Sequence, residues 1–545
     1  MSTRTSWSSF KGNWSNGTGK GGHPRDSPQW VASPNRKTIV TTRAPYLRKN
    51  SHLFWPCKGQ NAFLPRGTAL EPMQSGNSNN ARNCLKIPRM TRTNPALTDP
   101  VLSSFFRLWL PSLAGIMAMT TANIVDGIFI GNYVGATALA AVTLIIPFLG
   151  ILFGVTFMLT MGGTVRAGKY IGEADTAAAG AIFSKTLLAV VVLVLLVTAS
   201  GLLLETYLLR ALGGNDDVLP LMQTYFRIIM GFAWAHLLTV VMYFFVRVDG
   251  YPALAAIALI TGSAVNLVLD YLFIVHFQWG IAGAAWATGI SQALPFLVLC
   301  GYFFFPQRRL VFNLRQTKWR ELFTSAFNGL SEFINEISAS IIALLLNWMF
   351  MIRLGVEGVA AITVVNYMMV IGLMMIFSIG DAEGIFISQN YGAGKLHRIR
   401  RFLLICISLA LLISSISIWL LLCHTHVLVS AFLNAEDQDV IELTIGLLRL
   451  FWPVFAVSGL SLVITSYLTA LHLPVQSSII ALARSLVLPV ILLLTLFHAF
   501  PELPFILAIP MAEVITFILA LFFLARFFPN QTLFRKLDAL KPSRL

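Results

Sequence analysis

Long apolar stretches separated by short polar connections run along most of this chain. A helical run of about 20 apolar residues is long enough to cross the ~30 Å hydrocarbon core of a bilayer. The pattern therefore predicts an all-α polytopic membrane protein with twelve transmembrane helices. The predicted spans lie at about 102–130, 137–163, 177–204, 219–246, 252–275, 281–305, 321–351, 356–384, 399–427, 439–470, 475–499 and 503–528.

The charges of the connections predict the orientation and the domains. Lys and Arg are concentrated in the even-numbered connections, whereas Arg210 and Arg353 are the only basic residues of this kind in the odd-numbered connections. One odd-numbered connection is acidic, with Glu436, Asp437 and Asp439. Under the positive-inside rule, both termini are cytoplasmic, and we expect a multi-pass protein of the plasma (cell inner) membrane. The predicted domains are an N-lobe with spans 1–6 (99–305), a cytoplasmic inter-lobe linker (306–320), a C-lobe with spans 7–12 (321–530) and a cytoplasmic tail (531–545).

The two predicted lobes resemble each other in sequence. A gapless slide of residues 135–172 onto 355–392 superposes several identical residues. The matched pairs are Gly135 with Gly355, Gly172 with Gly392 and, at nearly the same offset, Pro252 with Pro474. With both halves entering from the cytoplasm, this predicts a parallel repeat, an architecture typical of alternating-access transporters.

The first 98 residues differ in composition from the rest of the chain. They hold 15 Lys and Arg against Asp26 and Glu71, are rich in Ser, Gly, Asn and Pro, and show no hydrophobic period. Such a segment buries too little apolar surface to offset its ordering entropy, so we expect a disordered basic extension. Three interpretations stay open: upstream sequence with the native start at Met90, an organellar transit peptide, or a basic arm that binds anionic lipid.

The net charge of +15 does not indicate a nucleic-acid partner. Residues 1–98 account for +13 of it, which leaves about +2 for everything that follows. Charged residues make up only 12% of the chain and hydrophobic ones 56%, as expected of a protein whose surroundings are membrane lipid. We expect a monomer.

Polar side chains share one depth in three spans of the predicted N-lobe. Asp126 lies about five residues from the outer end of span 1, Asp270 about six from that of span 5, and Thr288 about eight into span 6. At 1.5 Å per residue, all three fall about 7–12 Å below the outer surface. Asn266 is one turn from Asp270, and Asn123 is nearly one turn from Asp126. Independent helix caps would not need to agree in depth, so we predict a cation site for a proton or Na⁺.

The predicted C-lobe has buried acids of its own. Glu332 and Glu336 share a helix face, with Asn335 beside them, near the middle of span 7. Asp381 and Glu383 lie near the cytoplasmic end of span 8. These residues form either a second cation or drug-attracting site, or polar contacts between helices; for Asp381 and Glu383 an interfacial helix end is a further alternative. Arg484, inside span 11, either extends to the interface or pairs with an acid.

Signatures of ATP-driven or enzymatic chemistry do not occur in the sequence. There is no phosphate-binding glycine loop with a lysine, because "GAGK" at 392–395 lacks the required spacing. The five cysteines show no metal-ligand spacing. We therefore expect neither an enzyme nor a cofactor, and the only bound ion expected is the coupling ion, H⁺ or Na⁺.

Five stretches of the chain form a distinctive set: "ANIVDGIFIGNYVGATALAAVTLIIP" (122–147), "VNLVLDYLFI" (265–274), "GIAGAAWATGIS" (280–291), "GLSEFINEISASIIALLLN" (329–347) and "SQNYGAGKLHRIRRF" (388–402). Together they resemble the multidrug and toxic compound extrusion (MATE) family, and its bacterial DinF-like branch in particular. The resemblance covers about residues 100–530. It implies twelve helices in two pseudo-symmetric six-helix lobes that form a V. In that branch the N-lobe cation site uses residues that match Asp126, Asn266, Asp270 and Thr288.

The resemblance implies a secondary active multidrug efflux transporter. Such a protein exports small-molecule organic cations in exchange for H⁺ or Na⁺ by alternating access. Two departures from the family pattern are Asp249 in "RVDGYP" (247–252) and the missing glycine in "LTALHLP" (468–474). One alternative function is a lipid-linked oligosaccharide flippase of the same superfamily, although the intramembrane charges here are mostly acidic. A channel or membrane receptor is the other alternative.

Overall fold

The described residues form twelve helices that are long and apolar enough to span a membrane, as the apolar pattern predicts. The computed structural model describes residues 94–430, 438–500 and 502–530. The spans, numbered 1 to 12 in chain order, are Val101–Val134, Thr137–Gly172, Thr176–Leu203, Leu219–Val248, Pro252–His276, Gly280–Phe304, Leu330–Gly355, Glu357–Gly392, Leu396–Cys423, Val440–Ala470, Pro474–Ala499 and Phe505–Arg526. Spans 2 and 8 continue by about nine residues beyond their predicted ends, to Gly172 and Gly392.

Shorter helical elements complete the described part of the chain. The helices are Pro95–Thr98, Glu205–Ala211, Trp319–Asn328 and Thr425–Ser430, with 3-10 turns at Gly301–Phe304 and Phe505–Leu507. Three π-helical turns interrupt or end spans 1, 5 and 11, at Ile130–Val134, Tyr271–His276 and Ala483–Val487. These turns come shortly after Asp126, directly after Asp270 and around Arg484. Such turns often occur at functional sites, because they change the direction of side chains in a helix.

The two ends of the helical bundle differ in their loops. We call the end with connections 173–175, 249–251, 305–329, 393–395 and 471–473 the basic end, and the other the opposite end. At the opposite end, Gly135 with φ 113° begins span 2, and Gly355 with φ 65° separates span 7 from span 8. Side chains other than glycine are strained at such φ values. The two glycines that the sequence slide aligns therefore make corresponding turns.

Spans 1–6 and spans 7–12 pack as two halves. Between them, spans 1 and 2 pack mainly against spans 7 and 8. Glycines let the two halves approach closely near the basic end: a Cβ at Gly172 would overlap the carbonyl oxygen of Gln389, and one at Gly392 would overlap that of Lys169. The halves are thus in tight contact at the basic end.

The predicted boundary of the N-terminal extension needs a correction. Residues 94–98 are folded: Asn94 precedes the short helix Pro95–Thr98, and its amide donates to Gln389 Oε1 at 2.9 Å. Side chains of the second half bind the backbone carbonyls of this helix, since Arg398 donates to Ala96 O at 3.0 Å and Lys395 to Leu97 O at 2.9 Å. Residues 1–93 with the Met90 start, the acidic residues Glu436 and Asp437, and the tail 531–545 lie outside the described residues.

The predicted start of span 7 at residue 321 was also wrong. Residues Trp319–Asn328 form a separate helix, which we call the linker helix, and span 7 begins at Leu330 after Gly329. The linker helix packs on spans 2 and 3 of the first half. Its polar residues make it too amphipathic to cross a bilayer, which explains why an apolar count alone misplaced the boundary.

Candidate cation site

Two carboxyl groups from different spans meet inside the first half. Span 1 carries Asp126 and span 5 carries Asp270, and the two helices pack along each other, with Gly115 against the backbone of Ala256. The carboxyl groups of Asp126 and Asp270 are neighbours in the structure. Asp270 is fully buried, with 0% exposure. The structure thus brings together the two acids that the sequence placed at one depth.

Three of the four carboxyl oxygens of this pair lack donors among the described residues. Both carboxyl oxygens of Asp270 and Oδ1 of Asp126 are buried and have no hydrogen-bond partner in suitable geometry among the described residues. Two adjacent carboxylates in a dry interior cannot both remain ionised without compensation, because each charge loses its hydration and repels the other. At most one of the two carboxyl groups is therefore ionised unless a positive species compensates the second charge.

Tyr225 in span 4 is a member of the cluster that the sequence analysis missed. It is 5% exposed and lies beside Asp126, Asp270 and the side chain of Thr288. Thr288 Oγ1 also donates to Ala284 O within its own helix at 2.9 Å. Tyr225 lies six residues from the opposite end of span 4, as Asp270 does in span 5. Equal depth therefore selects Tyr225 as well, once tyrosine hydroxyl groups are counted among the oxygens that can bind a cation.

The two predicted asparagines differ in their placement. Asn266 is 6% exposed and lies one turn from Asp270 in the same helix, as predicted. Asn123 is exposed, and the structure does not bring it into the cluster. A separation of three residues leaves about 60° between two side chains on a helix, and here this directs Asn123 away from the acids.

In the second half, a small cavity with room for about one or two water molecules lies between spans 7, 8, 10 and 11. Glu332, Asn335, Asp381 and Arg484 contribute to its wall. Glu332 is also close to Glu336, whose Cβ lies against Gly154 of the first half. The structure thus brings together four of the predicted C-lobe residues, with Glu336 beside the boundary between the halves.

Two polar contacts constrain this cavity. Arg484 Nε is 3.0 Å from Glu513 Oε1, so the arginine pairs with an acid, one of the two alternatives from the sequence. Ser485 donates to Asn335 Oδ1 at 2.8 Å. With Arg484 neutralised by Glu513, Glu332 is left as an acid facing the cavity without an ion pair within the described part of the chain.

Asp381 and Glu383 do not form one site. Asp381 pairs with Arg247 of the first half and also borders the cavity. Glu383 is fully buried and lies near Cys406 and Tyr467 instead, and neither of its carboxyl oxygens has a hydrogen-bond partner among the described residues. Residues two apart on a helix point in different directions, which separates the two acids.

Comparison with protein families identifies the chain. The family model described as MatE matches twice, over residues 111–272 and again over 333–495. The chain belongs to the MatE family. The double match confirms the predicted internal repeat, because its two copies cover corresponding parts of the two halves. As a MatE protein, the chain is a multi-pass membrane transporter.

Curated relatives of this MatE protein include exporters. It is 21% identical over 401 residues to "Multidrug export protein MepA" of Staphylococcus aureus (strain MSSA476), covering 73% of this chain and 88% of that protein. It is 25% identical over 405 residues to a protein named "FAD transporter" of Shewanella oneidensis, covering 72% and 87%. The two names describe cargoes of different chemistry.

Solved MatE structures share the fold. The chain superposes on "Crystal structure of MATE in complex with MaL6" with a TM-score of 0.76 and 21% identity, covering 82% of this chain and 99% of that one. A multidrug resistance MATE family transporter in an outward-facing conformation gives a TM-score of 0.74 at 22% identity, covering 83% and 100%. The predicted fold class, a twelve-helix MATE-like architecture, is confirmed.

Proposed function

We propose that this MatE protein exports organic cations in exchange for H⁺ or Na⁺ by alternating access. The basic end faces the cytoplasm of a cell whose plasma membrane holds the protein, as the loop charges predict. The observation that carries the proposal is the pair Asp126 and Asp270, three of whose four carboxyl oxygens are buried and accept no hydrogen bond from the described residues. The pair must hold a positive species, and a proton, a sodium ion and a cationic substrate compete for that role.

The balance of buried charge favours a positive cargo. Arg247, which is buried, pairs with Asp381, and Arg484, which is partly buried, pairs with Glu513, so each arginine is neutralised by an acid of a neighbouring span. Asp126, Asp270 and Glu332 have no such ion pair among the described residues. A flippase for anionic lipid-linked sugars needs basic groups in its cavity, and FAD, the cargo named for one relative, is also an anion. The excess of acids supports a cationic cargo over both.

Transport by the purified protein in sealed liposomes tests the proposal. A pH gradient or a sodium gradient is imposed separately, and the uptake of a fluorescent organic cation is compared with that of FAD. Either gradient that serves as the coupling force should drive accumulation of the organic cation, and collapsing it should stop accumulation. Accumulation of FAD but not of the organic cation would overturn the proposed substrate class.

A pair of matched variants links the transport to the site. Asp270→Asn keeps the shape of the side chain but cannot release a proton or supply a negative charge, so coupled uptake should be lost. Asp216→Asn makes the same change at a side chain that is 91% exposed in the opposite end, and should transport like the wild type. If a correctly folded Asp270→Asn variant took up substrate at the wild-type rate, the Asp126–Asp270 pair would not be the coupling site.

A further inference from the structure

The linker helix presents an uncovered aromatic stripe. Trp319, Phe323 and Phe327 are 48%, 72% and 49% exposed and follow one another at intervals of four residues. Side chains at this spacing lie on consecutive turns of one helix face. On the adjoining face, Leu322 and Ala326 are buried against spans 2 and 3. A contiguous exposed aromatic surface of this kind marks a contact with an apolar partner.

Positive charge borders this stripe. Arg315, Lys318 and Arg320 are exposed at the start of the helix and in the loop before it. The single acid in residues 306–328 is Glu321, which is engaged elsewhere. Tyr170 donates to Glu321 Oε2 at 2.6 Å, and Arg166 lies 3.9 Å from the same oxygen. The outward surface of the linker helix is therefore cationic as well as aromatic.

The first half holds the linker helix in a fixed orientation. Buried Lys185 of span 3 donates to the backbone carbonyl and, at 3.0 Å, to the hydroxyl of Thr317, and its ammonium group lies 5.2 Å from the centre of the Trp319 ring. Further along the helix, the backbone of Ser325 touches Gly162 of span 2. These contacts fix the helix at its start and again near its end, and Gly329 joins it directly to span 7.

These features fit one occupant. The helix lies at the basic end of a multi-pass membrane protein, where the spans leave the hydrocarbon layer. Aromatic side chains with adjoining basic groups are typical of helices that lie in the headgroup region of a bilayer. We propose that the linker helix is a binding surface for anionic phospholipids of the leaflet at the basic end. Its three aromatic rings enter the acyl boundary, and Arg315, Lys318 and Arg320 bind the phosphates.

Quenching by brominated lipids tests this surface without measuring transport. The full-length protein is reconstituted in bilayers that contain either brominated phosphatidylglycerol or brominated phosphatidylcholine. The difference in quenching between the wild type and Trp319→Phe isolates the contribution of Trp319 from the other tryptophans. We expect phosphatidylglycerol to be enriched around Trp319 by up to about fivefold for each basic residue at low salt.

A triple charge variant and its control complete the test. Arg315→Gln, Lys318→Gln and Arg320→Gln together should abolish the preference for phosphatidylglycerol while Trp319 remains accessible to both lipids. Arg210→Gln, an exposed arginine at the opposite end, should leave the preference unchanged. Absence of quenching at Trp319, equal quenching by both lipids, or an unchanged preference in the triple variant would overturn the proposal. Folding of each variant is checked by its helical circular dichroism and its elution as a single species.

Discussion

Arg247 of span 4 and Asp381 of span 8 form an ion pair that joins the two halves of the molecule. The side chains are 0% and 1% exposed. Arg247 also donates through Nε to Ser112 of span 1 at 3.0 Å. Nearby, Trp109 Nε1 donates to Ser378 Oγ at 2.9 Å, again from span 1 to span 8. A path to the basic end can open between the halves only if these contacts separate.

Breaking this pair should favour the state that is open at the basic end. In Asp381→Asn, Arg247 stays buried without its counter-charge, a change that costs about 3–5 kcal/mol in the closed state. Opening admits water to the arginine and relieves this cost. Ser388→Cys, fully buried beside Gly168, reports opening in a background without the native cysteines. We expect a maleimide added at the basic end to label it at least about tenfold faster in Asp381→Asn.

A double variant serves as the control. Arg247→Met combined with Asp381→Leu removes both charges together, and such replacements are often neutral. This variant should label at a rate near that of the wild type. Equal labelling of wild type and Asp381→Asn would show that the pair does not hold the halves together.

The close contact of Gly172 in span 2 with Gln389 in span 8 should be essential for closure at the basic end. In Gly172→Ala the new Cβ would overlap the Gln389 carbonyl, which is backbone and cannot turn aside. Transport should fall by about five- to 150-fold, because overpacking of a tight contact costs about 1–3 kcal/mol. Gly231→Ala in span 4 is the matched control, since a Cβ there meets nothing within 4 Å. Equal initial rates of uptake for the two variants would contradict the requirement for this contact.

Tyr225→Phe should weaken binding of the coupling cation without abolishing transport. The hydroxyl group beside Asp126 and Asp270 supplies a polar contact to the site, and its loss costs about 0.5–1.5 kcal/mol. The concentration of H⁺ or Na⁺ that gives half-maximal uptake should therefore rise about two- to tenfold, with little change in the maximal rate. A lower maximal rate at unchanged cation affinity would place Tyr225 outside the cation site.

Truncations that keep or remove the short helix Pro95–Thr98 should differ in their effect. A chain that begins at Met90 keeps this helix and should insert and transport like the full chain. A chain that begins at Pro100 loses the contacts of Ala96 and Leu97 with Arg398 and Lys395, and should be less stable to heat. Melting temperatures and initial uptake rates, measured for both truncated proteins and for the full chain, test these two expectations. Lost activity of the Met90 chain at equal membrane abundance would show that residues 1–89 contribute to function.

Sequence patterns predicted most of the fold because bilayer thickness sets the length of each apolar run. They failed at the linker helix. Residues 321–328 contain enough apolar residues to be counted as part of span 7, but they belong to a separate amphipathic helix. The prediction that Asp126 and Asp270 lie close together rested on their equal depth in the membrane. The depth of a residue follows from its distance in sequence from the end of its own helix. The rotation of each side chain about its helix does not follow from depth. This is why Asn123 was included, and why the pairing of Asp381 with Arg247 was not foreseen.

We propose that a coupling cation and an organic cation exclude each other at the Asp126–Asp270 pair. The most direct test measures the cations released when an organic cation binds to the purified protein. A pH indicator follows protons, and radioactive sodium follows Na⁺. We predict release of about one cation per bound substrate by the wild type and none by Asp270→Asn, since binding of one ligand must reciprocally weaken the other. Saturable substrate binding by the wild type with release of neither H⁺ nor Na⁺ would contradict the claim.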